Sequence, residues 1–261
     1  MMSAPLIRVE TAKPAIALIT LARADKRNAL NMELMTALCE SLEALNRDES
    51  IRVTILRGEG AVFCSGLDLA EAQDFGLAQQ SAELVAQMLL AIRRSHATTI
   101  AAVHGAAIAG GAGLMTACDF VIAAEATRIG YPEVRRGLVA SLVTLLLRRQ
   151  IGERFARELL VLGELIDARV AHEMGLVNRV VPKDDVLATA YELAAQILKG
   201  APGAIEQSRR HLDELWPRSF EEDLAQALER HMHVRTSEEA TEGMRAFIEK
   251  RLPNWDVNSP A

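Results

Sequence analysis

Thr99 to Cys118 read TIAAVHGAAIAGGAGLMTAC. The stretch opens as a short apolar run, breaks at His104-Gly105, turns through Gly110-Gly111 and continues as a compact apolar run. That pattern predicts a buried strand over Thr99–Val103, a glycine-rich turn, and a short helix over Gly111–Cys118. Gly110 and Gly111 would let a ligand approach the backbone closely. The first N–H groups of the helix after the turn are unpaired and sit at its positive dipole end. Ile100 to Ala117 is long and weakly polar, but it is rich in Gly and Ala and carries His104. A bilayer demands stronger hydrophobicity, so the expectation is burial in a soluble core.

A second stretch has the same logic. Ala61-Val-Phe-Cys-Ser-Gly-Leu-Asp68 reads as a strand that breaks at Gly66, with a helix beginning near Asp68. Such a turn can aim the Leu67 N–H out of the sheet and into a cavity. Two N–H groups converging on one oxygen make an oxyanion hole, and losing one such donor typically costs ~10²–10³ in rate. Either loop alone has bland readings, because close helix–strand packing explains many glycine runs. A nucleotide loop fits poorly: Gly111-x-Gly113 is followed by Thr116 rather than Gly, and no Gly-Lys-Ser/Thr comes after it.

Outward from these loops, Leu6–Val9 and Ile16–Leu21 read as a hairpin, Asn31–Leu45 as an amphipathic helix and Val53–Arg57 as a strand. Leu84–Arg93 is helical, and Phe120–Ala123 and Arg128–Gly130 are short strands. Helices are expected over Ser141–Arg149, Glu153–Leu162, Asp167–Met174, Lys183–Leu198, Gly203–Leu215, Phe220–Arg235 and Glu239–Glu249, with Asp167 and Thr236-Ser237 as N-caps. The first half alternates strand, strand, helix; the second is nearly all helix. The fold class is therefore α/β with a helical C-terminal extension. The break at Lys199-Gly-Ala-Pro-Gly203 divides a core, residues 1–200, from a C-terminal helical region, residues 201–261.

Composition narrows the function. Apolar residues make up 50% of the 261, but aromatics only 4%, so a large core must be built from Ala, Leu, Val and Ile. The net charge of −6 gives no electrostatic case for nucleic acid or an anionic membrane as partner. Cys39, Cys64 and Cys118 are an odd, unpaired set, which reads as reduced thiols in a cytoplasmic protein. Ala15–Ala22 imitates a short signal segment, but charged residues come next and no cleavage pattern is present, so it is read as a strand. No metal-ligand spacing accompanies His231-Met-His233, a pair expected on an exposed helix face. Cys64-Ser65 lacks a Gly-x-Ser-x-Gly elbow.

The two loops in order, together with the motifs downstream of them, are decisive. Phe63-Cys-Ser-Gly-Leu-Asp68, His104-Gly-x-x-x-x-Gly-Gly, Ala117-Cys-Asp119, Gly130-Tyr-Pro-Glu-Val134, Gly163-x-x-Ile166-Asp-Ala168, Gly175-Leu-Val-Asn178 and Glu242-Gly-Met-Arg-Ala-Phe-Ile-Glu-Lys250 together resemble the crotonase superfamily, the enoyl-CoA hydratase/isomerase family. The resemblance runs from about Arg8 to about Trp255. It implies a spiral of strand-strand-helix units, a helical trimerisation region, and a homotrimer or dimer of trimers. It implies an acyl-CoA thioester substrate, with CoA part of the substrate and no separate cofactor or metal. By position it assigns the oxyanion N–H groups to Leu67 and Gly110 and the catalytic carboxylate to Glu133. CoA and acyl contacts fall to Lys26, Arg27, Ala29, Ser65, Gly66, Asp68, Gly111, Gly113, Phe247 and Lys250, the last two often across a subunit boundary in relatives. Lys26, Arg27 and Lys250 would make a local cationic site on an acidic protein.

One residue departs from the pattern. Two-acid hydratases of the family carry a Glu three residues after the oxyanion glycine; here that position is Gly113. A single carboxylate can take a proton from water and return it to carbon, or move a proton along an acyl chain to shift a double bond. Glu133 alone thus fits a hydratase, with Δ3-Δ2 enoyl-CoA isomerase as the alternative reaction. A catalytically silent CoA-binding protein is a third reading that Gly113 keeps open. Gly113 is expected to leave room beside C3 of the acyl group. Glu71, Asp74 and Glu83 are candidates for a replacement acid, though solvated helix faces are their ordinary fate. Arg135 and Arg136 can pair with a substrate carboxylate, though such arginines are more often exposed or bound to neighbouring acids.

Overall fold

The computed structural model describes residues 5–68, 71 and 77–256. Its larger sheet has the strand order β1-β2-β3-β4-β6-β9, and a smaller one has the order β5-β7-β8. In the large sheet β1 (Ile7–Lys13) pairs antiparallel with β2 (Ile16–Leu21) as the expected hairpin. From β2 onward the pairing is parallel, through β3 (Val53–Gly58), β4 (Thr98–Val103), β6 (Phe120–Ala124) and β9 (Arg179–Val181). β2 and β4 are buried at every position, as expected of parallel strands covered on both faces.

The small sheet holds β5 (Ala106–Ile108), β7 (Arg128–Gly130) and β8 (Leu165–Asp167). β4 leads along the chain into β5, and β6 into β7. Cys64, downstream of β3, forms a further parallel bridge to Ala107. Successive turns of the chain therefore place one strand in each sheet, the spiral expected from the resemblance. None of β5, β8 and β9 was expected from the sequence, although the equally short β7 was, since three residues carry little periodicity of their own.

Helices cover both faces. On one side lie α1 (Met32–Asn46), α2 (Ala78–Arg93), α3 (Gly110–Ala117) and α4 (Ser141–Leu162), which share one apolar core with Ile19, Leu21, Leu56 and Val103. Asn31 caps α1 by accepting from the Leu34 N–H at 3.1 Å. α4 joins the two helices expected at its place; Gly152, with φ 72° and ψ 173°, marks the break between them. The opposite face is covered by α6 (Val186–Ile197), whose Val186, Ala190, Leu193 and Ala194 pack on Ile16, Ile55, Ile100 and Ile122. Between them α5 (Ala168–Glu173) starts at the expected Asp167 cap.

The C-terminal helices are α7 (Pro202–Glu214), α8 (Phe220–Arg235) and α9 (Glu238–Glu249). α7 is tied to the sheet by charge rather than by apolar burial. Arg209 donates through Nε to Asp119 Oδ1 at 3.0 Å and through Nη1 to the Ser95 and His96 carbonyls, both at 3.0 Å. Asp119 Oδ2 also accepts from the Thr99 N–H and hydroxyl at 2.8 and 2.9 Å, linking β4 to β6. Both side chains are largely buried, so truncating one leaves polar groups without partners. Arg209→Ala is expected to lower stability by roughly 2–4 kcal/mol in urea unfolding. Arg209→Lys should recover little of the loss, because an ammonium cannot span three acceptors fixed by a planar fork.

Candidate active site

The two glycine-rich loops meet backbone to backbone. The Cys64 N–H donates to the Ala106 carbonyl and the Ile108 N–H to the Cys64 carbonyl, both at 3.1 Å. Further along, the Leu30 N–H donates to the Gly66 carbonyl at 2.8 Å and the Asp68 N–H to the Leu30 carbonyl at 2.9 Å. In this parallel bridge Leu67 lies between the two bonded groups, so its own N–H faces away from Leu30. Gly66 has φ +93°, and a Cβ there would lie 2.8 Å from the Ile108 carbonyl oxygen. Only glycine suits both the conformation and the space.

On the other side Ala109 takes φ 52° and ψ −121°, a conformation costly for a residue with a Cβ. It turns the chain from β5 into α3, so Gly110 is the first helical residue and its N–H has no intrahelical acceptor. A Cβ on Gly110 would lie 4.0 Å from the Leu67 nitrogen. Leu67 and Gly110 both line one cavity of about 450 Å³. Two N–H donors, one at a helix N-terminus, thus stand side by side on its wall.

Glu133 lines the same cavity. It sits on a 3-10 turn, Pro132–Arg136, just after β7 and the fully buried Tyr131. The Tyr131 hydroxyl pairs with Thr116 Oγ1 of α3, fixing the turn to that helix. On the other side α9 presses against the turn. A Cβ on Gly137 would lie 2.2 Å from the Glu239 carbonyl oxygen, and one on Gly243 would lie 2.3 Å from that of Arg136. The turn that carries Glu133 is thus clamped on both sides, while the side chain is unsatisfied in bonding: its Oε2 is buried with no hydrogen-bond partner among the described residues. Burial pushes its pKa up to about 7, against a smaller opposing pull from its own backbone N–H and Arg136. A carboxyl in that range can both accept and donate a proton near neutrality.

The position of the missing acid is occupied by something else. A Cβ on Gly113 would lie 2.6 Å from Val143 Cγ1 of α4. Val143 lines the cavity and Gly113 does not. The expected room beside Gly113 is therefore absent, because a β-branched side chain from another helix fills it. Two of the three alternative acids are engaged elsewhere. Glu71 accepts the Met32 N–H at 2.8 Å and so serves the start of α1; Glu83 accepts from Gln79 on the outside of α2. Asp74 lies outside the described residues.

Of the expected CoA contacts, Lys26, Arg27, Ala29, Ser65, Asp68 and Phe247 line the cavity. Lys26 and Arg27 are exposed, Arg27 at the left-handed end of the 3-10 turn Ala24–Lys26. Asn28 anchors this turn by donating to the Glu59 and Val62 carbonyls, each at 2.9 Å. Asp68 is held by Arg23 at 2.6 Å. Gly66 and Gly111 act through backbone packing, a Cβ on Gly111 falling 2.4 Å from the Cys64 carbonyl oxygen. Lys250 ends α9 in a left-handed conformation and is exposed. Phe247 reaches the cavity of its own chain.

Several lining residues escaped the sequence reading. His231, expected on an exposed face, lines the cavity together with Arg235, one helical turn later on α8, and Met244 of α9. Their i, i+4 spacing was legible, but not the side of the helix that faces in. Arg135 is exposed and donates to the Leu162 carbonyl, whereas Arg136 points inward and lines the cavity. Cys64 and Cys118 are buried, with thiol pKa values pushed up to about 12, which makes either a poor nucleophile. The described residues contain no group of three His, Cys, Asp or Glu side chains able to hold a metal, and no described helix is long and apolar enough to cross a membrane.

This architecture has close counterparts. A family model described as enoyl-CoA hydratase/isomerase matches residues 11–258. A putative enoyl-CoA hydratase of Thermus thermophilus is 36% identical over 252 residues, 95% of this chain and 100% of that protein. The crystal structure of a putative enoyl-CoA hydratase from Mycobacterium avium paratuberculosis superposes with a TM-score of 0.87 at 32% identity, covering 96% and 99% of the two chains. A monofunctional enoyl-CoA isomerase from M. smegmatis superposes at 0.70 with 34% identity, covering 85% and 99%. The chain belongs to the enoyl-CoA hydratase/isomerase family of the crotonase superfamily.

The contact between Gly113 and Val143 can be tested by a double-mutant cycle. Gly113→Ala should destabilise by about 1–2 kcal/mol through overpacking, and Val143→Ala by about 2 kcal/mol through the cavity it leaves. Combined, the two should cost at least about 1 kcal/mol less than their sum. Strict additivity in thermal or urea unfolding would show that Val143 does not fill the place of the second acid.

Proposed function

We propose that this protein hydrates 2-enoyl-CoA thioesters with Glu133 as its sole acid/base and the Leu67 and Gly110 N–H groups as its oxyanion hole. The observation that carries the reading is the buried, unpartnered Oε2 of Glu133 in a cavity whose wall presents both N–H groups. The thioester oxygen accepts from Leu67 and Gly110. The Glu133 carboxylate takes a proton from water, and the hydroxide so formed adds to C3. Electron density moves through C2 to the thioester oxygen, where the two donors hold the enolate in a site with little competing solvent. Glu133 then returns the proton to C2, so one water is added and the carboxylate is regenerated.

The same groups support Δ3-Δ2 isomerisation, in which Glu133 removes a proton from C2 and redelivers it to C4. The likeness to an enoyl-CoA isomerase favours keeping this second reading. The assembly that accompanies either reading is a homotrimer or dimer of trimers. In support, α7 buries none of its residues within the chain, and at its C-terminal end Leu212 and Leu215 are 65% and 68% exposed.

Crotonyl-CoA and 3-hexenoyl-CoA separate the reactions. Loss of the conjugated-thioester absorbance with gain of one water in the product mass, reduced roughly 10²–10⁴-fold in Glu133→Gln, is the expected result. Gain of conjugation from 3-hexenoyl-CoA without mass change, and no hydration, would instead make the enzyme an isomerase. The sign of the pH dependence comes from the raised carboxyl. The base form is needed to activate water, so kcat/KM should be low at acid pH and rise through about 7 as Glu133 loses its proton. A flat profile between about pH 5 and 8 would remove Glu133 from the role of base.

A further inference from the structure

The proposed chemistry leaves one half-buried cation of the cavity wall, Arg136, without a role. Arg136 comes three residues after Glu133 on the same 3-10 turn. Side chains at that spacing eclipse one another, so carboxyl and guanidinium project from one face into one space. Both line the cavity. Arg136 has no hydrogen bond or salt bridge to any described side chain. Its guanidinium lies 4.1 Å over the Phe247 ring and otherwise feels the field of Glu133. Arg235, only 6% exposed, lines the same cavity from α8. Burial lowers the pKa of both arginines, as well as that of His231, so each is held away from bulk water.

The described carboxylates of the wall give Arg136 no firm counter-charge. Among the described residues three line the cavity: Asp25 on an exposed turn, Asp68 bound by Arg23, and Glu133 with its raised pKa. The surrounding wall is apolar, with Leu138, Leu142, Val143 and Met244. Keeping a guanidinium in such a place costs free energy unless something supplies a counter-charge. A planar guanidinium matches a carboxylate by two parallel hydrogen bonds. An anion that meets Arg136 beside Glu133 would lie on the acyl side of the substrate rather than in the CoA phosphates. Arg136 stands beside the carboxyl that works at the reacting carbons, and the pantetheine arm holds the phosphates far from those carbons.

We propose that the acyl group carries a second carboxylate bound by Arg136, so that the substrates are enoyl-CoA half-thioesters of dicarboxylic acids. This deepens the CoA-thioester reading of the site and rests on it.

Equilibrium binding tests the assignment without requiring turnover. The ligands are succinyl-, glutaryl- and adipyl-CoA, their counterparts butyryl-, valeryl- and hexanoyl-CoA, and coenzyme A alone. Wild type should bind at least one carboxylated ligand more tightly than its counterpart of equal length. Arg136→Met should reduce that preference by about tenfold or more, while Arg136→Lys keeps part of it. Wild type that favours none of the carboxylated ligands would overturn the proposal. So would an Arg136→Met variant that weakens coenzyme A alone as much as the carboxylated ligand, which would assign the guanidinium to the phosphates. A carboxylate preference together with no hydration of crotonyl-CoA or of the 2-enoyl counterparts of the carboxylated ligands would leave this inference standing and sink the hydratase reading; binding of none of these ligands would sink both.

Discussion

The whole site depends on one backbone contact, where the chain after β3 is pressed against the turn between β5 and α3. Cys64 hydrogen-bonds to Ala106 and Ile108, and neither Gly66 nor Gly111 could carry a Cβ without striking a carbonyl oxygen across the contact. This closeness brings the Leu67 and Gly110 N–H groups to one point on the cavity wall. Both N–H groups belong to backbone fixed by the sheets, so in the proposed reaction they would need no reorganisation when charge develops on a bound oxygen. The strained Ala109 belongs to the same device: its positive φ turns the chain so that α3 begins at the cavity.

The carboxyl is held by the same economy of space. Tyr131 anchors one side of the Glu133 turn to α3, and the glycine contacts with α9 clamp the other. The C-terminal helices therefore help to build the cavity as well as packing on the sheets' helical cover. Rigidity and desolvation act together here. The turn holds the carboxyl in an enclosed space, burial raises its pKa, and Arg136 on the same turn limits how far. With Val143 filling the position beside Gly113, no described carboxylate stands at the place where two-acid hydratases would carry their second.

Much of this was legible in the sequence because it depends on local backbone chemistry. The glycine loops, the Asn31 and Asp167 caps and the fully apolar strands all report on their immediate neighbours, and the order of motifs carried the family resemblance. What failed to show depends on contacts distant along the chain. Gly113 read as empty space, because nothing near it announces that Val143, far along the chain on α4, occupies it. His231 read as exposed, because an amphipathic helix does not reveal which cavity its polar residues face. Arg135 and Arg136 were indistinguishable until the 3-10 turn set one outward and one inward. The short strands β5, β8 and β9 exist only by pairing with strands elsewhere in the fold.

The central claim is that one carboxylate and two backbone donors make up the catalytic machinery. A crystal structure with an unreactive enoyl-CoA analogue bound tests it most directly. The expected result is a thioester oxygen about 2.7–3.1 Å from both the Leu67 and Gly110 nitrogens, with Glu133 as the only carboxylate within reach of C2 and of a water at C3. A second carboxylate at C3, or a thioester oxygen held away from either nitrogen, would contradict that claim.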